Sequence, residues 1–191
     1  MNPGTFCKNV SRITTGNGFK RVIQGVNINT LRDDAGIILT ASTEPSREAL
    51  ETYFDGVVVS ASQTDLGYLT FMIPRDYDES VDKLHFRFFC NSAGDSNTPT
   101  IDGAIYRKRA GAALSADLDP TISAAMNNST AKAGFVEVVS QGDGHKAGDA
   151  ICANFTTSAH TTDAAHIYGL EVVYASNLAY YDKTDRSIAD E

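Results

Sequence analysis

The residues with the most chemical potential lie late in the chain, where His160, Asp163 and His166 stand in Ala159-His160-Thr161-Thr162-Asp163-Ala164-Ala165-His166. Two imidazoles and a carboxylate are ligand types that hold zinc. Their i, i+3, i+6 spacing needs a helix or a tight turn, yet His166 opens a strand-like run. Loop-end polar residues at a strand junction are therefore the expectation, and only the fold could bring His145 in as a fourth ligand. A second group, Asp76, Asp78, Glu79 and Asp82, falls within Pro74-Arg75-Asp76-Tyr77-Asp78-Glu79-Ser80-Val81-Asp82. Acids two residues apart suggest a calcium loop, but the central glycine and closing glutamate of an EF-hand are missing. A solvated turn ahead of a strand is expected instead.

Nucleophiles and cofactor loops fare no better. Cys90 and Cys152 sit in alternating apolar runs, where a free cysteine acts as a small buried hydrophobe, and Cys7 has no histidine near it in sequence. No serine lies in a Gly-x-Ser-x-Gly elbow. Gly142-x-Gly144-x-x-x-Gly148 has one residue too many for a dinucleotide fingerprint, and no His-x-His pair offers a cupin-type metal site. No catalytic residue, cofactor or metal is expected.

Charge gives a stronger lead. The 191 residues carry 16 basic and 24 acidic groups, a net of −8. The first acid is Asp33, and before it stand Lys8, Arg12, Lys20, Arg21 and Arg32. The chain is thus +5 up to residue 32 and −13 after it. These five cations are the candidate interaction residues, able to steer docking onto an acidic protein surface and to weaken with salt. Arg107-Lys108-Arg109 is a second basic cluster, but a body of −13 repels a polyanion, so nucleic acid is not an expected partner. No run of eighteen apolar residues exists to cross a membrane as a helix, and no membrane partner is expected. An odd cysteine count and the lack of an apolar leader point to reduced thiols and synthesis in cytoplasm.

The elements that must position these residues are mostly strands. Residues 1–32, rich in Asn, Thr and Gly, read as an arm or a first strand, with Val22, Val26 and Ile28 in weak alternation. One short helix, or else a solvated loop crossing, is expected after Ser42-Thr43-Glu44-Pro45, with Ala49, Leu50, Tyr53 and Phe54 at helical spacing and Arg47 paired to Glu51. From Gly56 onward the period is two. Strands are expected at 56–61, 67–73, 84–90, 101–108, 135–140, 150–157 and 166–175, separated by turn-rich clusters. Residues 110–133 read as a long connection. The expected architecture is all-β, an antiparallel β-sandwich or jelly roll with an extended N-terminal arm and at most one short helix. Its parts are a basic arm over 1–32, a body over 33–182 and a polar tail over 183–191.

Several phrases carry a resemblance: Phe71-Met72-Ile73-Pro74-Arg75-Asp76-Tyr77-Asp78, Leu84 to Phe89, Ile105-Tyr106-Arg107-Lys108-Arg109, Gly144-His145-Lys146-Ala147-Gly148-Asp149-Ala150 and His166 to Tyr174. In style and order they resemble the β-sandwich structural proteins of tailed bacteriophage heads, the small capsid-decorating or cement proteins. The resemblance implies a non-catalytic virion protein on the capsid surface that binds the major capsid protein lattice and strengthens it, as a homo-oligomer and first of all a trimer. The arm would add a strand to a neighbour's sheet edge. Two other readings stay open: a carbohydrate-binding sandwich associated with a head or tail fibre, and a different neck or tail structural protein. Against the carbohydrate reading, the chain has no Trp and most of its Tyr and Phe fall in strands.

Overall fold

Alternation of apolar and polar side chains makes a chain fold as strands whose apolar faces must meet. In the computed structural model the described residues are 20–177, apart from 53, 81–82, 95–97, 119, 123–124, 128–131, 142–143, 159 and 161. They form ten strands: β1 (Lys20–Val26), β2 (Ser46–Glu51), β3 (Phe54–Val59), β4 (Asp65–Met72), β5 (His85–Ser92), β6 (Thr100–Lys108), β7 (Thr121–Ile122), β8 (Gly134–Val139), β9 (Ala150–Ser158) and β10 (Ala165–Ser176). Every pairing between them is antiparallel. The larger sheet runs β2-β3-β10-β5-β8-β7, and the smaller runs β4-β9-β6. The long β10 holds the larger sheet together. One edge pairs with β5, while the other takes β3 along Ala165–Ile167 and β1 along Leu170–Ser176.

The two sheets close on each other as an antiparallel β-sandwich. Phe155 of β9 projects from the smaller sheet between Phe86 and Phe88 of β5, its ring 5.4 Å and 4.8 Å from theirs. Phe71 of β4 meets Phe86 at 6.0 Å. Ile101, Ile105, Ile151 and Leu66 on one side and Val57, Val136, Val138 and Ile167 on the other complete the core. The open edge of β6 is covered by the chain that follows it: Asp117 accepts from the Ile105 N–H at 2.9 Å and the Ser115 hydroxyl from the Arg107 N–H at 2.9 Å. This satisfies backbone groups that an edge strand would otherwise leave bare.

The strands expected from Gly56 onward form, with ends shifted by a few residues at most. One expectation does not hold. The helix after Ser42 is absent: Ser46–Glu51 is β2, hairpin-paired with β3. The Thr43 hydroxyl accepts from the Thr40 N–H at 2.8 Å, and Arg47 meets Asp55 across the hairpin at 2.8 Å rather than Glu51 one helical turn on. Pairing with the Val57–Val59 run overrides a modest helical propensity, because the hairpin satisfies the backbone and joins the sheet at once. The segment read as an arm or a first strand supplies a strand that lies on the body. Of the proposed arm, residues 20–26 pair along β10, Ile28–Thr30 makes one 3-10 turn, Leu31 is fully buried, and Arg32 bridges to Tyr68 of β4. Residues 1–19 and the tail lie outside the described residues.

If the Phe155 wedge joins the sheets, Phe155→Ala will lower stability by about 3–5 kcal/mol, the range for removing a large buried aromatic side chain. Urea unfolding followed by circular dichroism measures it; a loss below about 1 kcal/mol contradicts the role given to this ring.

Candidate functional site

The residues singled out for metal chemistry are held apart. His160 is buried, and its Nε2 lies 2.8 Å from the Thr157 hydroxyl. Asp163 packs against Gly94, where a Cβ would come within 2.2 Å of its carboxylate. His166 stands on the outer face of the larger sheet, its pKa lowered by burial and partly restored by Glu48. Among the described residues no group of three His, Cys, Asp or Glu side chains is placed to hold a metal ion. The carboxylates of the suspected calcium loop also diverge. Asp76 accepts from the Ser176 hydroxyl at 2.8 Å and from Tyr174. Asp78 accepts from the Ser80 hydroxyl and N–H at 2.6 Å and 3.0 Å, which lowers its pKa. Asp82 lies outside the described residues.

Arg107 and Arg109 of the basic cluster turn inward, while Lys108 is exposed. Arg109 donates from Nε and Nη2 to the two oxygens of Asp149 at 2.8 Å and 2.6 Å, Arg107 approaches at 4.0 Å, and the Lys146 N–H adds a 2.9 Å bond. Burial pushes the Asp149 carboxyl up, but these hydrogen bonds and charges outweigh it and hold the group below the usual range. The same turn ties β9 to the end of β4, with Gly148 N–H on the Ile73 carbonyl at 2.9 Å and Ile73 N–H on the Asp149 carbonyl at 2.8 Å. Gly148 has φ +86, a left-handed backbone that favours glycine. This is a structural clasp. Of the thiols, Cys90 is buried, its pKa pushed up to about 12 by that burial. Cys152 is partly exposed, facing outward from β9 rather than into the core as expected.

The arm cations do not gather in the described part of the chain. Lys8 and Arg12 lie outside it. Lys20 and Arg21 sit where β1 meets the end of β10, opposite Ser176 and Ala175. Arg32 is exposed beside the smaller sheet and donates to the Gly36 carbonyl at 2.7 Å.

What the fold does assemble is an aromatic row on the outer face of the larger sheet. In β5, Phe86, Phe88 and Cys90 point inward, so His85, Arg87 and Phe89 point outward. By pairing, Phe89 lies beside Phe135 of β8. Tyr168 of β10 and Phe54 of β3 continue the row. Successive ring centroids are 5.5 Å (Phe54–Tyr168), 5.7 Å (Tyr168–Phe89) and 5.2 Å (Phe89–Phe135) apart. The row crosses four strands, roughly 14 Å at the usual strand spacing. Phe54, Phe89 and Phe135 remain 46%, 36% and 50% exposed. The Arg87 guanidinium lies 4.4 Å from the Phe135 centroid and 3.3 Å from Glu171, and His85 pairs with Glu137 alongside. At the other end Glu48 and Glu51 of β2 share the face: Glu51 lies opposite Phe54. Burial raises the Tyr168 pKa, the Glu51 charge adds to this, and a hydrogen bond with Asn91 works against it. Gly56 leaves room beside the row for Leu50, whose Cδ1 would lie 2.2 Å from a Cβ there.

Phe89, Phe135 and Tyr168 carry a signal that is easily passed over in the sequence, and Phe54 reads there as part of the expected helix. Each belongs to the outward phase of its strand, where polar residues are the norm.

No protein-family model matches the chain, and no curated protein matches it. Among solved structures it is similar to the CBM36-1 domain of a multidomain xylanase from the hindgut metagenome of Trinervitermes trinervoides. The TM-score is 0.41 at 9% identity, over 83% of this chain and 99% of that one.

Asp149 supplies a pH test. A carboxylate held below its unfolded value of about 3.9 contributes stability that is fully present above that pH and is lost as pH falls through its folded value. Asp149→Asn is therefore expected to cost about 2–3 kcal/mol at pH 7, and less as the pH drops below about 4. Urea midpoints measured from pH 7 to pH 2 check this, and parallel curves for the two proteins would refute it.

Proposed function

We propose that this chain is a non-catalytic structural protein of a bacteriophage-type particle, attached to the protein shell, with the aromatic row as its protein contact surface. The row is the observation that carries the reading. Aromatic rings and arginine, rimmed by charged groups, are the composition of the energetic centre of protein interfaces. A contiguous apolar patch of this kind on an open face is commonly functional. The resemblance to capsid-decorating proteins supplies the kind of partner, and the sandwich supplies a rigid support for it.

The test is co-sedimentation of the protein with the particles it is made with. Phe89→Ala combined with Phe135→Ala is expected to weaken attachment by about tenfold or more, as for interface hot spots. The melting temperature is expected to change little, because both rings are partly exposed. Unchanged attachment would overturn the reading.

A second reading, carbohydrate recognition, draws support from the same row, since exposed rings beside the polar groups of His85 and Glu137 suit the apolar face and hydroxyls of a sugar. Glycan-array binding that the double substitution abolishes, with no attachment to particles, would select it.

A further inference from the structure

We infer that the aromatic row takes a basic, extended segment of the shell protein, with lysine or arginine side chains laid along the rings. The inference rests on the reading of the row as the contact with the shell, and it names the chemistry of the segment that fills it. Acids stand on two sides of the row. At one end Glu51 lies opposite Phe54 and Glu48 opposite Gly56. Along one flank Glu137 and Glu171 lie on either side of Arg87, and Glu137 and Arg87 are two residues from Phe135 and Phe89 on their strands. Two residues of strand are about 7 Å. The charges around the row are thus Glu48, Glu51, Glu137 and Glu171 against Arg87, with His85 paired to Glu137.

Nothing nearby cancels this excess. Glu48 and Glu51 make no ion pair with lysine or arginine among the described residues. His166 shares the face, but burial lowers its pKa more than Glu48 raises it, which keeps the ring mostly neutral at pH 7. Lys20 and Arg21 lie opposite Ser176 and Ala175. The seven residues from Tyr168 to Ala175 put them roughly 23 Å along β10 from the row. Whatever those early cations meet, they leave the acidic field around the rings intact.

The rings favour the same sign. An aromatic face attracts a cation, and more strongly where water is displaced. The Arg87 guanidinium already sits 4.4 Å from the Phe135 centroid, while Phe54 and Phe89 keep open ring surface. An extended chain advances about 3.3 Å per residue and turns alternate side chains to one side, so about five residues span the roughly 14 Å row and three of them face it. A cation at one end meets Glu48 and Glu51, and one further along meets the flank of Glu171 and Glu137. A second copy of this chain does not fit, because its own carboxylates would lie against these.

Fluorescence anisotropy of the full chain with a labelled peptide of alternating lysine and threonine, about eight residues long, tests this. The peptide is expected to bind at low salt with a dissociation constant of about 100 µM or below, and more weakly as salt rises. A peptide of alternating glutamate and threonine is expected not to bind at about 1 mM. Glu48→Gln with Glu51→Gln, and separately Phe89→Ala with Phe135→Ala, are each expected to weaken the lysine peptide about tenfold. Asp34→Asn with Glu79→Gln, exposed acids away from the row, is expected to change it less than about twofold. No binding of the lysine peptide, equal binding of both peptides, or equal losses from the two pairs of acids overturns the inference. So does a rise of about tenfold in affinity on Lys8→Gln with Arg12→Gln, which would make the chain's own early cations the occupant. The two peptides compared on the wild type decide even where a variant does not fold. Attachment to particles that needs Phe89 and Phe135, with the lysine peptide unbound, ends this inference while the shell-contact reading stands. Attachment indifferent to both rings, with the peptide bound through them, ends the shell reading and supports the basic-segment site alone.

Discussion

The sandwich depends on one ring. Phe155 leaves β9 and enters the larger sheet between Phe86 and Phe88, with centroid distances of 5.4 Å and 4.8 Å at steep angles. Edge-to-face packing of this kind adds to the area it removes from water. The contact fixes how β9 lies across β5. Since β9 carries β4 and β6 on its two edges, and β5 carries β10 and β8, the placement of both sheets follows from it. A strand slipped by one residue would turn Phe155 outward and Asn154 into the core. The inward phase of the smaller sheet is thereby locked, and with it the outward phase of the larger one.

Around this wedge the polar residues most suggestive of chemistry prove to be fasteners. Asp149 is buried and bound by Arg109 and by a backbone N–H, so an acid at the start of β9 secures the end of β6. Asp76 receives Ser176 and Tyr174, while the Asn177 N–H reaches the Asp76 carbonyl at 2.8 Å, which fastens the end of β10 beneath the turn after β4. Burial and the nearby Asp76 charge push the Tyr174 phenol up to about 12. The two phrases most responsible for the resemblance, Pro74 to Asp78 and Lys146 to Asp149, are both of this type. In this chain both phrases pin strand ends and build no active site.

Much of this was legible in the chain. Leu84, Phe86, Phe88 and Cys90 alternate with polar residues so strictly that β5 and its buried face could be read directly, and β4, β6, β8, β9 and β10 follow the same rule. The failures have a common cause. Ser46–Glu51 has no alternation, carries good helix formers and becomes a strand because β3 offers it an edge. Lys20–Val26 reads as an arm or a first strand because its alternation is weak, and β10 is long enough to seat it beside β3. In both places a distant partner decided the conformation, and local propensity cannot register a partner far along the chain.

By itself the sequence determined most of the inward-facing side chains, Leu84, Phe86, Phe88 and Cys90 among them but not Cys152, because a period of two leaves one phase for the core, and it determined the acidic body behind five early cations. It also placed Phe89, Phe135 and Tyr168 in expected strands, while Phe54 read as part of a helix. Only the tertiary structure decided that these four stand in one row. Their neighbourhood depends on the order β3-β10-β5-β8 and on the register of each pair, Phe89 opposite Phe135 and Gly169. Residues as far apart as 54 and 168 become ring-to-ring neighbours only when hydrogen-bond ladders bring their strands side by side. That is the physical reason the aromatic face was silent in the sequence and plain in the fold.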